Sequence, residues 1–414
     1  MTRRSVRRIP AITTALLALC TLTATGQAPK PVGGTPQAST PPKSTRATAA
    51  QFDQIVETAN EARRAERWED AIALYAKAVK LRPDFVEGYW YQGTAYYTLE
   101  KFPECRDAFK RVTRLSPKNG AAFAFLGLCE FGLKDYERAL PHLLQSRMIG
   151  VGDKDLSGVA GYHAAVIMTR IEQYEQALQT LGEFAAAGND SPRVIEAMGI
   201  ATLRMAMLPN EVPPDRREMV LMAGRGSYMM ATRQTAAAGT AFQAMVERYP
   251  ETPNVHYAYG VFLLIEQPDK AIEQFKRELE LQPNHSASLL QIAYEYLKEK
   301  NAEAALPWAK QAVEVAPNSF GSHKALGDAL LETGDIEGAL RELQTAARLA
   351  PDSPSTRLSL ARAFQRAGRA DDATRERQEF ARLNRLLRTT QMGAQSVGGI
   401  DGDQTPKTDA PPPQ

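Results

Sequence analysis

In this 414-residue chain the residues that could do chemistry are few and badly spaced for it. A phosphate-binding loop needs glycines that bare their backbone N–H groups, then a lysine for the phosphates and a hydroxyl for magnesium. The nearest stretch runs from Gly127 to Gly132, but Leu133 stands in the lysine's place and no hydroxyl follows it. The five histidines, His142, His163, His256, His285 and His323, form neither an H-E-x-x-H run nor an i, i+4 pair, so no zinc centre is expected. There is no G-x-S-x-G elbow, and a dispersed Ser-His-Asp triad leaves no mark in spacing. The expectation is a non-enzymatic protein with no catalytic residue, no metal and no cofactor.

Charge narrows the partners. Lys and Arg number 50 against 48 Asp and Glu. Arg3, Arg4, Arg7 and Arg8 precede an apolar run from Ile9 to Ala24, and Ala24-Thr25-Gly26 supplies small residues for cleavage. Residues 1–26 therefore read as a secretory signal peptide, too short in its apolar core to span a bilayer. Removing it leaves 46 bases against 48 acids, without the basic stripe that nucleic-acid binding requires. The expected site of action is the cell envelope, periplasmic or extracellular. Residues 27–50 and 392–414 are rich in Pro, Thr, Ala and Gly and lack apolar periodicity, so they read as a disordered linker and a disordered tail. No other segment approaches the apolar length of a membrane span.

Between these ends a spacing stands out. Pro83, Pro117, Pro250, Pro283, Pro317 and Pro351 recur at one near-constant interval, apart from a single gap of nearly four periods. Aligned on proline, small residues fall into register at Gly93, Gly127, Ala165, Gly226, Gly260, Ala293, Gly327 and Ala361, and again at Ala71, Cys105, Ala139, Ala177, Ala238, Ala271, Ala305, Ala339 and Ala373. Each unit then holds two amphipathic helices that cross at the small residues, with proline closing the unit. Cys105 occupies an alanine position, so a small buried side chain accounts for it. An oxidising compartment would also allow a bridge to Cys129 if the helices bring the two backbones close.

This pattern resembles the tetratricopeptide repeat, whose units have the same period. The resemblance implies an all-α, right-handed superhelical solenoid of antiparallel helix pairs, with about nine full repeats and one truncated. The arrays would be residues 52–191 and 219–387, the last helix a polar cap. Residues 192–218 read as a degenerate repeat that is either a hinge or a rigidly packed piece. In this family the first helix of each unit lines a concave groove. Its groove positions fall here on Asn60, Arg63, Trp90, Thr94, Tyr97, Leu128, Phe131 and Tyr162, and on Tyr257, Val261, Leu290, Tyr294, Lys324 and Asp328. Val56 replaces a lysine that carboxylate-clamping members carry, which disfavours that mode. The resemblance implies a scaffold for protein or peptide partners, with homo-oligomers compatible with it. The other reading is an accessory subunit of an envelope enzyme or of a secretion or polysaccharide-handling complex. For each groove aromatic the competing expectation is packing against the next repeat.

Overall fold

The computed structural model describes residues 43–397, and all secondary structure among the described residues is helical. The proposed signal peptide and most of the linker and tail lie outside them. Four antiparallel pairs come first: α1 (Lys43–Arg64) with α2 (Trp68–Leu81), α3 (Val86–Thr98) with α4 (Phe102–Leu115), α5 (Gly120–Gly132) with α6 (Tyr136–Ile149), and α7 (Lys154–Arg170) with α8 (Tyr174–Ala186). An unpaired helix, α9 (Pro192–Thr202), and a 3-10 turn at Pro209–Glu211 follow. Five more pairs complete the chain: α10 (Arg217–Ala231) with α11 (Thr235–Arg248), α12 (Val255–Leu263) with α13 (Pro268–Leu281), α14 (Ser286–Lys298) with α15 (Ala302–Val315), α16 (Phe320–Thr333) with α17 (Ile336–Leu349), and α18 (Pro354–Arg366) with α19 (Ala370–Val397). The array is the nine-pair helical solenoid that the period implies.

Two compact units share this array. Unit 1 runs to Ala197 and takes back Met205–Glu211, while unit 2 holds Met198–Arg204 and everything from Val212. The division passes through α9. That helix ends earlier than the apolar pattern around Met205 suggests, because Arg204 turns the chain with a left-handed φ of 49°. Arg170 of α7 then ties the return segment into unit 1, donating to the Ala206 carbonyl and lying 3.9 Å from Glu211.

Two boundaries correct the compositional reading. Helix α1 starts at Lys43 and α19 reaches Val397, so residues 43–50 and 392–397 are helical rather than structureless. Ala47, Ala49 and Ala50 are strong helix formers, and extending a formed helix costs far less than starting one.

The turn inside every pair except α12–α13 is built the same way. Glu66, Glu100, Lys134, Lys300, Gly334 and Gly368 all adopt left-handed backbone just past the first helix. The following amide bonds back five residues in most pairs, as in Lys101 N–H to Tyr96 O (2.9 Å) and Asp135 N–H to Glu130 O (2.9 Å). This closes the helix end by a Schellman-type motif. Within a pair the helices touch at the small residues: a Cβ on Gly127 would lie 2.7 Å from Leu143 Cγ. Seams between pairs are equally dense. Cys105 of α4 and Cys129 of α5 are fully buried and joined by a disulfide with their Cα atoms 5.9 Å apart. The bridge reading of the two cysteines is therefore the one the fold adopts.

In unit 2 a buried carboxylate does a cap's work. Asn254 precedes α12 with φ 69° and makes no side-chain cap. Glu278 of α13, with no exposed surface, accepts instead from the amides of Asn254 (2.7 Å) and Tyr257 (3.2 Å).

Candidate partner-binding surface

The first helices of unit 1 carry a nearly continuous run of aromatic contacts. Tyr75 stacks on Tyr91 with ring centroids 5.4 Å apart, and the Arg63 guanidinium lies 4.2 Å above the Tyr91 ring. Asn60 accepts from the Tyr75 hydroxyl at 2.7 Å. Trp90 meets Phe109 and Phe125 edge-on, and those two rings stack in parallel 4.9 Å apart. Tyr97 packs edge-on against Phe102 and Phe125. Farther along, Phe131 touches Tyr136 and His163, and Tyr162 touches His163. Thr94 lies among these rings and donates to the Tyr91 carbonyl.

Asn60, Arg63, Trp90, Thr94, Tyr97, Phe131 and Tyr162 are all partly exposed. Most of them are also held by a neighbouring helix, so groove lining and inter-repeat packing are properties of the same rings. Leu128 is different: at 2% exposure it is core, because α5 is the most apolar helix and is covered on nearly every face. Its place in the groove is withdrawn.

Unit 2 is more polar. Tyr257 is withdrawn as well, at 6% exposure, since Phe275, His285 and the Arg204 guanidinium enclose its ring. Val261 and Leu290 are half-buried apolar positions. Tyr294 donates to the Gly321 carbonyl at 3.2 Å, and the Lys324 ammonium lies over its ring. Lys324 and Asp328 pair at 2.6 Å one turn apart on α16. The other Asp328 oxygen, Oδ1, is buried and accepts nothing.

Burial sets the protonation of the surface. It pushes the Tyr75, Tyr162 and Tyr294 phenols up to about 12, with Asp328 adding to the effect at Tyr294. Tyr97 moves the same way for the same reason. These phenols stay neutral, so the partly exposed ones, Tyr97, Tyr162 and Tyr294, offer hydroxyls and ring edges rather than negative charge. Sequence spacing missed Tyr91, Phe109, Phe125 and His163, which complete the aromatic run. Their signal was present in the aromatic pairs at Tyr75/Tyr91 and Phe109/Phe125, spaced by one repeat.

Chemistry-bearing groups do meet in places. Glu130, fully buried, lies 2.6 Å from His142 Nδ1, and its Oε1 has no partner. Among the described residues no group of three or more His, Cys, Asp or Glu is placed to hold a metal ion, and no helix is long and apolar enough to cross a membrane. The arrangement can bind through ring faces and hydroxyls.

Comparison with known proteins agrees with the repeat. Tetratricopeptide repeat family models match residues 56–119, 92–147 and 330–376, and the ChAPs family (Chs5p-Arf1p-binding proteins) matches residues 215–350. No curated protein matches the sequence. Among solved structures, MamA from Desulfovibrio magneticus RS-1 is 20% identical over 41% of this chain and 96% of its own, with a TM-score of 0.38. A second MamA structure is 14% identical over 45% of this chain and 98% of its own, with a TM-score of 0.36. With the period and the helix crossings of the same kind, the chain is built on tetratricopeptide repeats.

Proposed function

We propose that the chain is an exported scaffold that holds protein or peptide segments against the first-helix faces of its repeats. The observation that carries this is the aromatic run of unit 1. Trp90, Tyr97, Phe131 and Tyr162 are partly exposed, yet each ring is fixed by another ring. A partner meeting them orders few rotamers, which is how aromatic anchors bind at low entropic cost. In unit 2 the partly exposed Lys324–Asp328 pair beside Tyr294 adds a polar contact. The Chs5p-Arf1p-binding family, by its own description, binds proteins, and its match to residues 215–350 supports the same reading for unit 2. The Cys105–Cys129 bridge supports export, since such bonds persist in oxidising compartments.

Removing Trp90 would leave a void against Phe109 and Phe125, so an added charge tests the face more cleanly. Thr94→Glu places a carboxylate between Trp90 and Tyr97 without removing a ring. In an in-cell crosslinking pull-down, specific partners recovered by the wild type should be lost by Thr94→Glu at unchanged helicity. An identical partner set from both proteins overturns the unit 1 assignment.

A further inference from the structure

Unit 1 fixes the register in which one repeat meets the next. At the α2/α3 seam Tyr75 stacks on Tyr91, and at the α4/α5 seam Phe109 stacks on Phe125, one period farther along on both sides. One turn away, Cys105 and Cys129 bond across the same seam. Each second helix thus offers a pair of positions, and each following first helix receives them.

At the two ends of the array these positions meet no further repeat among the described residues. On α1 the receiving positions, one period before Tyr91 and Ala95, are Glu57 and Glu61. Both are exposed, whereas Ala95 and Cys129, their counterparts of Glu61, are at most 1% exposed. On α19 the offering positions, one period after Ala339 and Leu343, are Ala373 and Arg377. Ala339 and Leu343 are fully buried under α18, but Arg377 is exposed.

We propose that copies of this chain join end to end, α19 of one copy seated on α1 of the next, with Arg377 facing Glu57. Polar ends are what any repeat array needs to stay soluble, yet solubility does not require opposite signs at matched seam positions. The signs also select the occupant. Two α19 ends brought together would oppose Arg377 to its own copy, and two α1 ends would oppose Glu57 and Glu61 to theirs. The unlike ends are complementary at these positions, which makes the contact heterologous and able to repeat. The present partners are easily exchanged: Glu57 bonds Arg64 at 3.1 Å on an open surface, and Arg377 bonds Gln365 in solvent. This inference does not depend on the groove assignment.

Sedimentation velocity on the purified chain, with Glu57→Arg, Arg377→Glu and the double variant, tests it. Wild type should grow in mass with concentration past the dimer, and less so at high salt. Each single reversal should weaken association at least about tenfold. The double variant should recover it, and so should an equimolar mixture of the two single variants, whose ends are again complementary. Circular dichroism of each variant separates lost contact from lost fold. The proposal is overturned by a wild type that stays monomeric, by assembly that stops at a dimer, or by reversals without effect. It is equally overturned if a monomeric wild type pellets with phosphatidylglycerol vesicles and Arg377→Glu does not, which would assign the α19 end to an anionic lipid surface.

Discussion

His323 sits between two acceptors, Glu342 at 2.6 Å from Nδ1 and the Pro317 carbonyl at 2.8 Å from Nε2. One period on, Arg357 does the same work, bonding the Pro351 carbonyl and Glu376. His256 repeats it with the Pro250 carbonyl and Gln274. In each case a side chain on the first helix holds the proline turn that enters its own repeat. Because two polar bonds are lost, His323→Ala should cost about 1 to 3 kcal/mol in urea unfolding. His323→Arg should retain most of that stability, and an equal loss from both would refute the clamp. A second histidine sets the acid limit. Burial, aided by Arg204 and opposed by Glu278, holds His285 down at about 4, while its Nδ1 accepts from the Ser288 amide at the start of α14. The unfolded imidazole protonates near 6.5, so the neutral ring's contribution is complete above that pH. It is lost as the pH falls through 6.5 toward 4, by up to about 3 kcal/mol. His285→Asn keeps a capping acceptor without titrating, and should flatten the unfolding profile over that window. None of these partners could be read from sequence, since a histidine's neighbours come from the turn before and the helix after it. The prolines that mark those turns were legible; the side chains that grip them were not.

Helices and their pairing were the most legible level. The small residues at Gly93, Gly127, Gly260 and Gly327 marked crossings because only the absence of a Cβ lets Phe109, Leu143, Phe275 and Leu343 come so close. The groove was less legible. Position in a helix tells which way a side chain faces, but Leu128 and Tyr257 are covered by elements whose packing no local pattern specifies. The Cys105–Cys129 bond likewise needed the seam register, which spacing shows only as a period. Closing a loop over a sequence separation of 24, it should contribute about 2 to 4 kcal/mol. Reductant should therefore lower the melting temperature of the wild type. The Cys105→Ala, Cys129→Ala variant should melt lower and show no response; a wild type indifferent to reductant would remove the bond's role. Another close approach lies in unit 2, where a Cβ on Gly199 of α9 would run into the Val220 carbonyl of α10, near the Thr202–Ser227 hydroxyl pair. Backbone cannot yield as a flexible side chain does, so Gly199→Ala should cost about 1 to 3 kcal/mol. A neutral result in a denaturant titration would show that α9 and α10 can part.

For the molecule as a whole, stability is a sum of repeats and nearest-neighbour seams, and no single core decides it. That is why one well-kept period was enough to expect the fold, although the irregular stretch after α9 could not be drawn beforehand. The proposed export is tested at this scale. If residues 1–26 direct secretion, the native protein should start near residue 27 and carry no free thiol at Cys105 or Cys129. The same chain made without that segment in a reducing cytoplasm should label at both cysteines once denatured. Free thiols in protein taken from its native compartment would refute export.

Helix α12 has nine residues, fewer than a helix needs to persist alone in water, and its cap arrives from α13. The carboxylate of Glu278 lies 24 residues beyond the Asn254 amide that it serves. As the chain is made, N-terminus first, α12 has nothing to close it until α13 has followed. The two helices then form as one event. A pause in synthesis between them would leave the apolar run Val255 to Leu263 open, and that interval is when a folding helper or an aggregating neighbour would find it.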